Sequence, residues 1–264
     1  MSNSLIVGAD SDIAQNLLSE WKSRKWFVVG TTRRKIERSD DQNLFSLDLS
    51  SSASVDKFTR DLKLLNKKFD KIIFAAGTMH PIGNLVNTNV DEWESNIKIN
   101  FLSPVRIIRQ LISTELLNSN ALILIFAGGG INSAPVNSSA YTISKIALTK
   151  SMEILFAEFP DYNFISLGTG WINTKIHKQT LDAGPLLSSN FLETVRRTKD
   201  NDFGDIHEIL KFIDWVSLHA PSITSGRNFS LQNAEWKNPE FTSQIFINSS
   251  LFKLRRVDID KSHL

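Results

Sequence analysis

Cysteine is missing from all 264 residues. Its absence excludes disulfide staples, thiolate metal sites and cysteine nucleophiles. Neither sign of charge dominates: 30 Lys and Arg face 28 Asp and Glu, a formal net charge of +2. That balance calls for neither nucleic acid nor an anionic membrane as partner. Long apolar runs are lacking too, and none approaches the roughly 20 residues of a membrane span. Residues 1–8 have neither a basic start nor the apolar stretch of a secretion signal. A cytoplasmic location is the expectation, and there the Asn-x-Ser sequons at Asn137, Asn228 and Asn248 carry no sugar. The histidines show no metal-ligand spacing, so no metal is expected.

What is present is enough for one large core: 41% of the residues are hydrophobic. Short apolar runs at about 5–7, 27–29, 44–47, 71–76, 122–126, 164–167 and 229–231 read as strands. Between them, Ile13, Leu17, Leu18 and Trp21, then Val55, Phe58, Leu62 and Leu65, recur at helical spacing. Further helices are expected over about 91–117, 138–158 and 205–219. Strands that are apolar throughout and separated by helices mean a parallel sheet covered on both faces. Right-handed crossovers make it an α/β, doubly wound sheet in a single domain over 1–264. Residues 174–201 are the least patterned and follow the sixth strand, so they are expected to form a substrate lid. Residues 253–264 are charged and are expected to be a frayed, solvated tail.

Gly8-Ala9-Asp10-Ser11-Asp12-Ile13-Ala14 joins the first strand to the first helix. A glycine there allows a tight turn, and the helix N-terminus offers free N–H groups to a pyrophosphate. Gly8, Ser11, Asp12 and Ile13 are therefore candidate dinucleotide contacts. Only the first of three usual glycines is present; Asp12 and Ala14 hold the other two places. A carboxylate beside a pyrophosphate is unfavourable unless it points away, and Ser11 and Asp12 also suit a helix cap. The second strand ends in Gly30-Thr31-Thr32-Arg33-Arg34, with no carboxylate before Glu37. An acidic residue there suits the ribose of NAD; arginine suits the 2′-phosphate of NADP. Arg33 and Arg34 thus favour NADP, with NAD as the alternative and solvated helix-end charges as the other reading. Asp48-Leu49 and Ala75-Ala76-Gly77 close the third and fourth strands, where the adenosine half would lie. Asp48 suits a helix cap as well.

Tyr141 and Lys145 are one helical turn apart and share a helix face. A phenol with an ordinary pKa of about 10 is a poor acid–base group at neutral pH. The lysine charge is expected to lower that pKa, so that Tyr141 can pass a proton to or from a substrate oxygen.

In order and spacing, Gly8, Asp48, Ala75-Ala76-Gly77, Asn100, Tyr141-x-x-x-Lys145 and Gly170 with Thr174 resemble the short-chain dehydrogenase/reductase superfamily. The resemblance runs from Gly8 to about Leu231. It implies a Rossmann-type domain with a seven-stranded parallel sheet, and a homodimer or homotetramer built on the helices near 91–117 and 138–158. It implies NAD(P)-dependent interconversion of a carbonyl and an alcohol, with Tyr141 as general acid/base. Lys145 would bond the nicotinamide ribose, and Asn100 would hold a water linking Lys145 to solvent. Gly170, Ile172 and Thr174 join the implied cofactor site. Thr169 stands where relatives commonly carry proline.

Relatives also offer a serine thirteen residues before the tyrosine, where this chain has Gly128-Gly129-Gly130. Three compensations are open. Backbone N–H groups of Gly128, Gly129 and Gly130 could serve; so could Asn132, Ser133 or Ser139; or the substrate could bring its own hydroxyls. Ser138 and Ser139 equally suit helix capping. Trp171 is expected at the substrate or in the core, His177 at the substrate or on the lid surface. Residues 126–130, 170–177 and 226–230 look like a subgroup found in bacterial surface-polysaccharide and nucleotide-sugar pathways, which implies a sugar-like substrate. Gly128 and Asp12 keep a second reading open, a dinucleotide-binding sensor or partner subunit with little catalysis.

Overall fold

The computed structural model describes residues 2–37, 41–233 and 235–256. Seven strands pair in parallel: β1 (Asn3–Val7), β2 (Phe27–Thr32), β3 (Leu44–Ser46), β4 (Phe69–Phe74), β5 (Leu117–Phe126), β6 (Asn163–Gly168) and β7 (Arg227–Ser230). Their order across the sheet is β3-β2-β1-β4-β5-β6-β7. All seven apolar runs of the sequence are strands, and the sheet is the doubly wound α/β arrangement they imply. The chain works outward from β1 to β3, then returns to lay β4 on the other side of β1. The crevice at the carboxyl ends of β1 and β4 is the switch point, where such sheets hold ligands.

The helices are α1 (Asp12–Ser23), α2 (Ser52–Lys63), α3 (Val90–Ile97), α4 (Ser103–Ser113), α5 (Ser139–Glu158), α6 (Lys175–Ala183), α7 (Ser188–Asp200), α8 (His207–Ser217), α9 (Pro221–Thr224) and α10 (Phe241–Ile247). Alternation along each strand divides the core between two faces. Leu5, Val7, Ile72 and Ile123 meet Phe58 of α2, Ile108 of α4 and Met152 of α5. Ile6, Ile73, Leu124 and Phe229 meet Trp21 of α1, Phe212 of α8 and Phe241 of α10.

Two expectations change. The helix over 91–117 is instead α3 and α4 joined by a π-turn, Lys98–Leu102, and residue 117 already belongs to β5. Pro104 accounts for the break. It has no N–H, and its ring crowds the carbonyl four residues back, that of Asn100. The Ser103 N–H accordingly donates to the Lys98 carbonyl, five residues back. Residues 174–201 form α6, a 3-10 turn (Gly184–Leu187) and α7. Their apolar period is faint because they bury so little: Thr180, Leu187 and Thr194 are the buried positions. Within the expected tail, Arg255 makes a two-pronged contact with Glu153 at 2.5 and 2.9 Å. Residues 257–264 of that tail lie outside the described residues.

Candidate active site

At Gly8 the chain leaves β1 for α1. A Cβ there would lie 2.6 Å from the Ala76 nitrogen, and φ is +94°. Only glycine lets the ends of β1 and β4 close on each other at the switch point. The Gly8 N–H donates to Thr31 Oγ1 at 3.0 Å and the Ala9 N–H to the Thr31 carbonyl at 2.7 Å, tying the turn to β2. Ser11 caps α1, its Oγ accepting from the Ala14 N–H at 3.1 Å. Asp12 does not cap α1. Its Oδ2 accepts from the Lys175 N–H at 2.7 Å, so it caps α6 instead.

A cleft of about 900 Å³ runs along the carboxyl edge of the sheet. It is bounded by Gly8, Ser11, Asp12 and Ile13 of the first turn, by Arg33, and by Asp48, Leu49 and Ala75-Ala76-Gly77. At its other end lie Gly128, Gly129, Asn132, Tyr141 and Lys145, with Gly170, Trp171, Ile172, Thr174 and His177 above. An extended dinucleotide fits this lining: a turn with helix N–H groups in the middle, a cation at one end and the Tyr/Lys pair at the other. Arg34 does not line the cleft; its N–H donates to Thr32 Oγ1 and its Nη1 to the Lys35 carbonyl, each at 3.2 Å. Asp48 Oδ1 accepts from the N–H and hydroxyl of Ser50 at 2.9 and 2.7 Å, a turn-forming role. Sequence reasoning missed Asp10. Its carboxylate accepts from the Thr32 hydroxyl and puts negative charge in the corner beside Arg33.

Tyr141 and Lys145 share the inner face of α5, with Lys145 Nζ 5.8 Å from the tyrosine ring centre. Lys145 is buried and donates to the Phe126 carbonyl at the end of β5, at 2.8 Å. Burial pushes the Tyr141 phenol up to about 12 and the Lys145 ammonium down to about 8. The expected lowering of the tyrosine is therefore reversed here. The ammonium serves a backbone carbonyl, and desolvation outweighs its charge.

Gly128 packs directly on this pair. A Cβ there would lie 2.9 Å from both Tyr141 Cε1 and Lys145 Cγ. The space a serine side chain needs is already filled. Among the stand-ins, Asn132 and Ser133 line the cleft at its exposed rim. Ser139 does not line it; its Oγ accepts from Trp93 Nε1 at 3.0 Å. Ser138 holds the N-cap position of α5 without a side-chain cap bond, its Oγ 3.4 Å from the Pro135 carbonyl.

Asn100 lies in the π-turn, buried, and does not reach the cleft wall. Its Oδ1 accepts from the Thr78 N–H at 3.0 Å; its Nδ2 donates to the Thr78 carbonyl and to Asn96 Oδ1, each at 2.8 Å. Asn96, a second residue missed from sequence, donates to the Thr78 and His80 carbonyls at 3.0 and 2.6 Å. Ser144 Oγ lies 3.2 Å from Asn96 Oδ1 and 2.7 Å from the Tyr141 carbonyl. The two asparagines thus fasten the loop after β4 to the helix that carries Tyr141. An asparagine one turn before Asn100 was the available signal. His177 stacks on Trp171, ring centres 4.9 Å apart, with the Arg197 guanidinium 5.2 Å from the indole. Desolvation holds its pKa below the ordinary histidine value.

Among the described residues, no group of His, Asp and Glu is arranged to hold a metal, and no helix is long and apolar enough to cross a membrane. A family model described as enoyl-(acyl carrier protein) reductase matches residues 28–229. The chain belongs to the short-chain dehydrogenase/reductase family. An uncharacterised oxidoreductase of Schizosaccharomyces pombe is 26% identical over 185 residues, 64% of this chain and 73% of that protein. A short-chain dehydrogenase/reductase from Saccharomyces cerevisiae has the same fold, with a TM-score of 0.78 at 18% identity over 92% of this chain and 99% of that one. So does 4-hydroxyisoleucine dehydrogenase, solved with NADH, at a TM-score of 0.65 and 20% identity over 87% and 96%. At such identities the solved structures speak for the fold; the family match carries the class, an oxidoreductase of the short-chain dehydrogenase/reductase family.

Proposed function

We propose that this short-chain dehydrogenase/reductase interconverts a carbonyl and an alcohol using NADP(H), on a hydroxyl-bearing substrate such as a sugar or nucleotide-sugar of surface-polysaccharide synthesis. The observation that carries the reading is that Tyr141 and Lys145 line the same cleft as the Gly8 turn and Arg33. A bound nicotinamide dinucleotide would supply or take the hydride. Tyr141 gives a proton to the substrate oxygen in reduction and takes one in oxidation. Lys145 would exchange the Phe126 carbonyl for the nicotinamide ribose and support the phenolate. Asn100 holds the loop after β4 beside Lys145, and with it the water path to solvent. Arg33, exposed at the end of β2, offers a fork for a 2′-phosphate against the opposing charge of Asp10. Gln179, Thr142, Asn190 and Asn132 line the cleft and suit hydroxyl groups. The protein is proposed to act in the cytoplasm as a homodimer or homotetramer packed on α4 and α5.

The purified protein is expected to oxidise NADPH faster than NADH in the presence of keto-sugars. Tyr141→Phe is expected to lose at least about 100-fold in rate; an undiminished rate would reject the mechanism. The raised Tyr141 phenol and the filled serine space favour a second reading, a dinucleotide-binding sensor or partner subunit with little turnover. Tight NADPH binding without turnover over a broad carbonyl panel would support it, and robust turnover would end it.

A further inference from the structure

The phosphate-side turn and the lid are joined by one acidic and one basic residue. Asp12 Oδ2 accepts from the Lys175 N–H at 2.7 Å, and Lys175 Nζ donates to the Asp10 carbonyl at 2.8 Å, 3.8 Å from Asp12 Oδ1. Both residues line the cleft. Thr174, at the N-cap position of α6, makes no side-chain cap bond, so the cap comes from Asp12 on α1. The proton chemistry assigned to Tyr141, Lys145 and Asn100 makes no use of this bridge.

Asp12 stands at the place of the second glycine in the turn. A carboxylate there repels a pyrophosphate through a short, poorly screened distance. Such a turn binds a dinucleotide best when the carboxylate is turned away and a cation offsets what remains of its charge. We propose that Lys175 is that cation, a lid-borne ligand for the dinucleotide pyrophosphate, and that Asp12 is the positioning residue that sets the lid helix within its reach. The proposal rests on the dinucleotide reading above and assigns the lid a part in cofactor binding.

The geometry suits the task. The Lys175 side chain is 69% exposed, on a long flexible stem. Its ammonium can exchange the Asp10 carbonyl for a phosphate oxygen without displacing α6. That exchange replaces a neutral acceptor with a charged one, which strengthens the bond. Asp12 meanwhile stays engaged by the α6 N–H, its charge turned to the lid. The nearby cations are already placed elsewhere: Arg33 lies at the end of β2, and Lys178 pairs with Asp182 at 3.1 Å.

The test is NADPH and NADH titration by fluorescence, with Lys178→Met as a control of equal charge change. Lys175→Met is expected to weaken both nucleotides alike by about tenfold, the loss of one charge-assisted hydrogen bond, and Lys178→Met by less than about twofold. In an Asp12→Ala background the same Lys175→Met change is expected to cost no more than about twofold, because the lysine is no longer held in place. Equal affinity in wild type and Lys175→Met overturns the proposal. So does a loss confined to NADPH, which would assign the lysine to the 2′-phosphate. An undiminished tenfold loss in the Asp12→Ala background removes Asp12 from the role. If the wild-type protein binds neither nucleotide, the dinucleotide reading itself falls, and this inference with it.

Discussion

Gly128 decides how the site works at the scale of single residues. An oxidoreductase that had merely lost its serine should regain activity when the serine is restored. Here the Cβ of a residue at 128 would lie 2.9 Å from both Tyr141 and Lys145, so Gly128→Ser forces the pair apart. The expected outcome is a fall of at least about tenfold in kcat/KM and a destabilisation of about 1–3 kcal/mol, as for overpacking elsewhere. Steady-state kinetics with NADPH and a thermal melt read both; a serine variant faster than wild type would reject the packing argument. Lys145 gives a second residue-scale prediction. Its folded pKa, about 8, lies below the ordinary 10.5, because burial disfavours the ammonium. Between those values the unfolded chain holds more protons, so stability rises with pH through that window. The Tyr141 phenol, raised from 10.0 to about 12, acts oppositely above pH 10, where the unfolded phenol ionises first. Lys145→Met should therefore raise the melting temperature at pH 7 and flatten the climb between pH 8 and 10. An unchanged slope would assign the climb to another group.

At the scale of elements, legibility followed burial. The strands could be read because both faces of the sheet are covered, which leaves runs such as Leu122–Phe126 apolar throughout. Tyr141 and Lys145 could be placed because a spacing of four fixes a common helix face whatever surrounds it. Helices α6 and α7 could not, since they bury so few apolar side chains that no period emerges. The part of Asp12 was hidden for a different reason: its partner, Lys175, is distant in sequence and only the fold brings them together. The π-turn was readable in principle from Pro104, which cannot sit mid-helix without disturbing the residue four before it. Its consequence is a loop held by side chains where a regular helix would need none. Asn96→Ala leaves the Thr78 and His80 carbonyls and Asn100 Nδ2 short of a partner. A loss of about 2–3 kcal/mol is expected from buried groups left unpaired, measured as a shift of the urea midpoint. A midpoint within experimental error of wild type would show that the loop stands without Asn96.

At the scale of the whole molecule, the two faces of the sheet differ in how they end. One is sealed by an aromatic cluster, Phe212, Trp215, Phe229, Trp236, Phe241 and Phe252, whose ring centres lie 5.3–6.0 Å apart along the cluster. On the other face, α5 buries Ala140, Ser144, Leu148 and Met152 and carries apolar side chains outside as well, beside the Lys150–Glu153 ion pair. Ile143 and Ile154, three turns apart on one outer stripe, are 49% and 50% exposed, and Leu102 of the π-turn is 52% exposed. An exposed apolar stripe on the outer side of a helix asks for something to cover it. A second copy of the chain, packed α5 against α5, would bury this stripe in a self-complementary contact. Sedimentation velocity at micromolar concentration is then expected to give a dimer or tetramer. Ile143→Lys combined with Ile154→Lys should give the monomer mass with an unchanged circular dichroism spectrum, because both side chains face outward and bear no load in the core. A wild-type protein that sediments as a monomer would refute the packing. So would a double variant that still associates, since two like charges facing their copies across the axis cannot be accommodated in a dry contact.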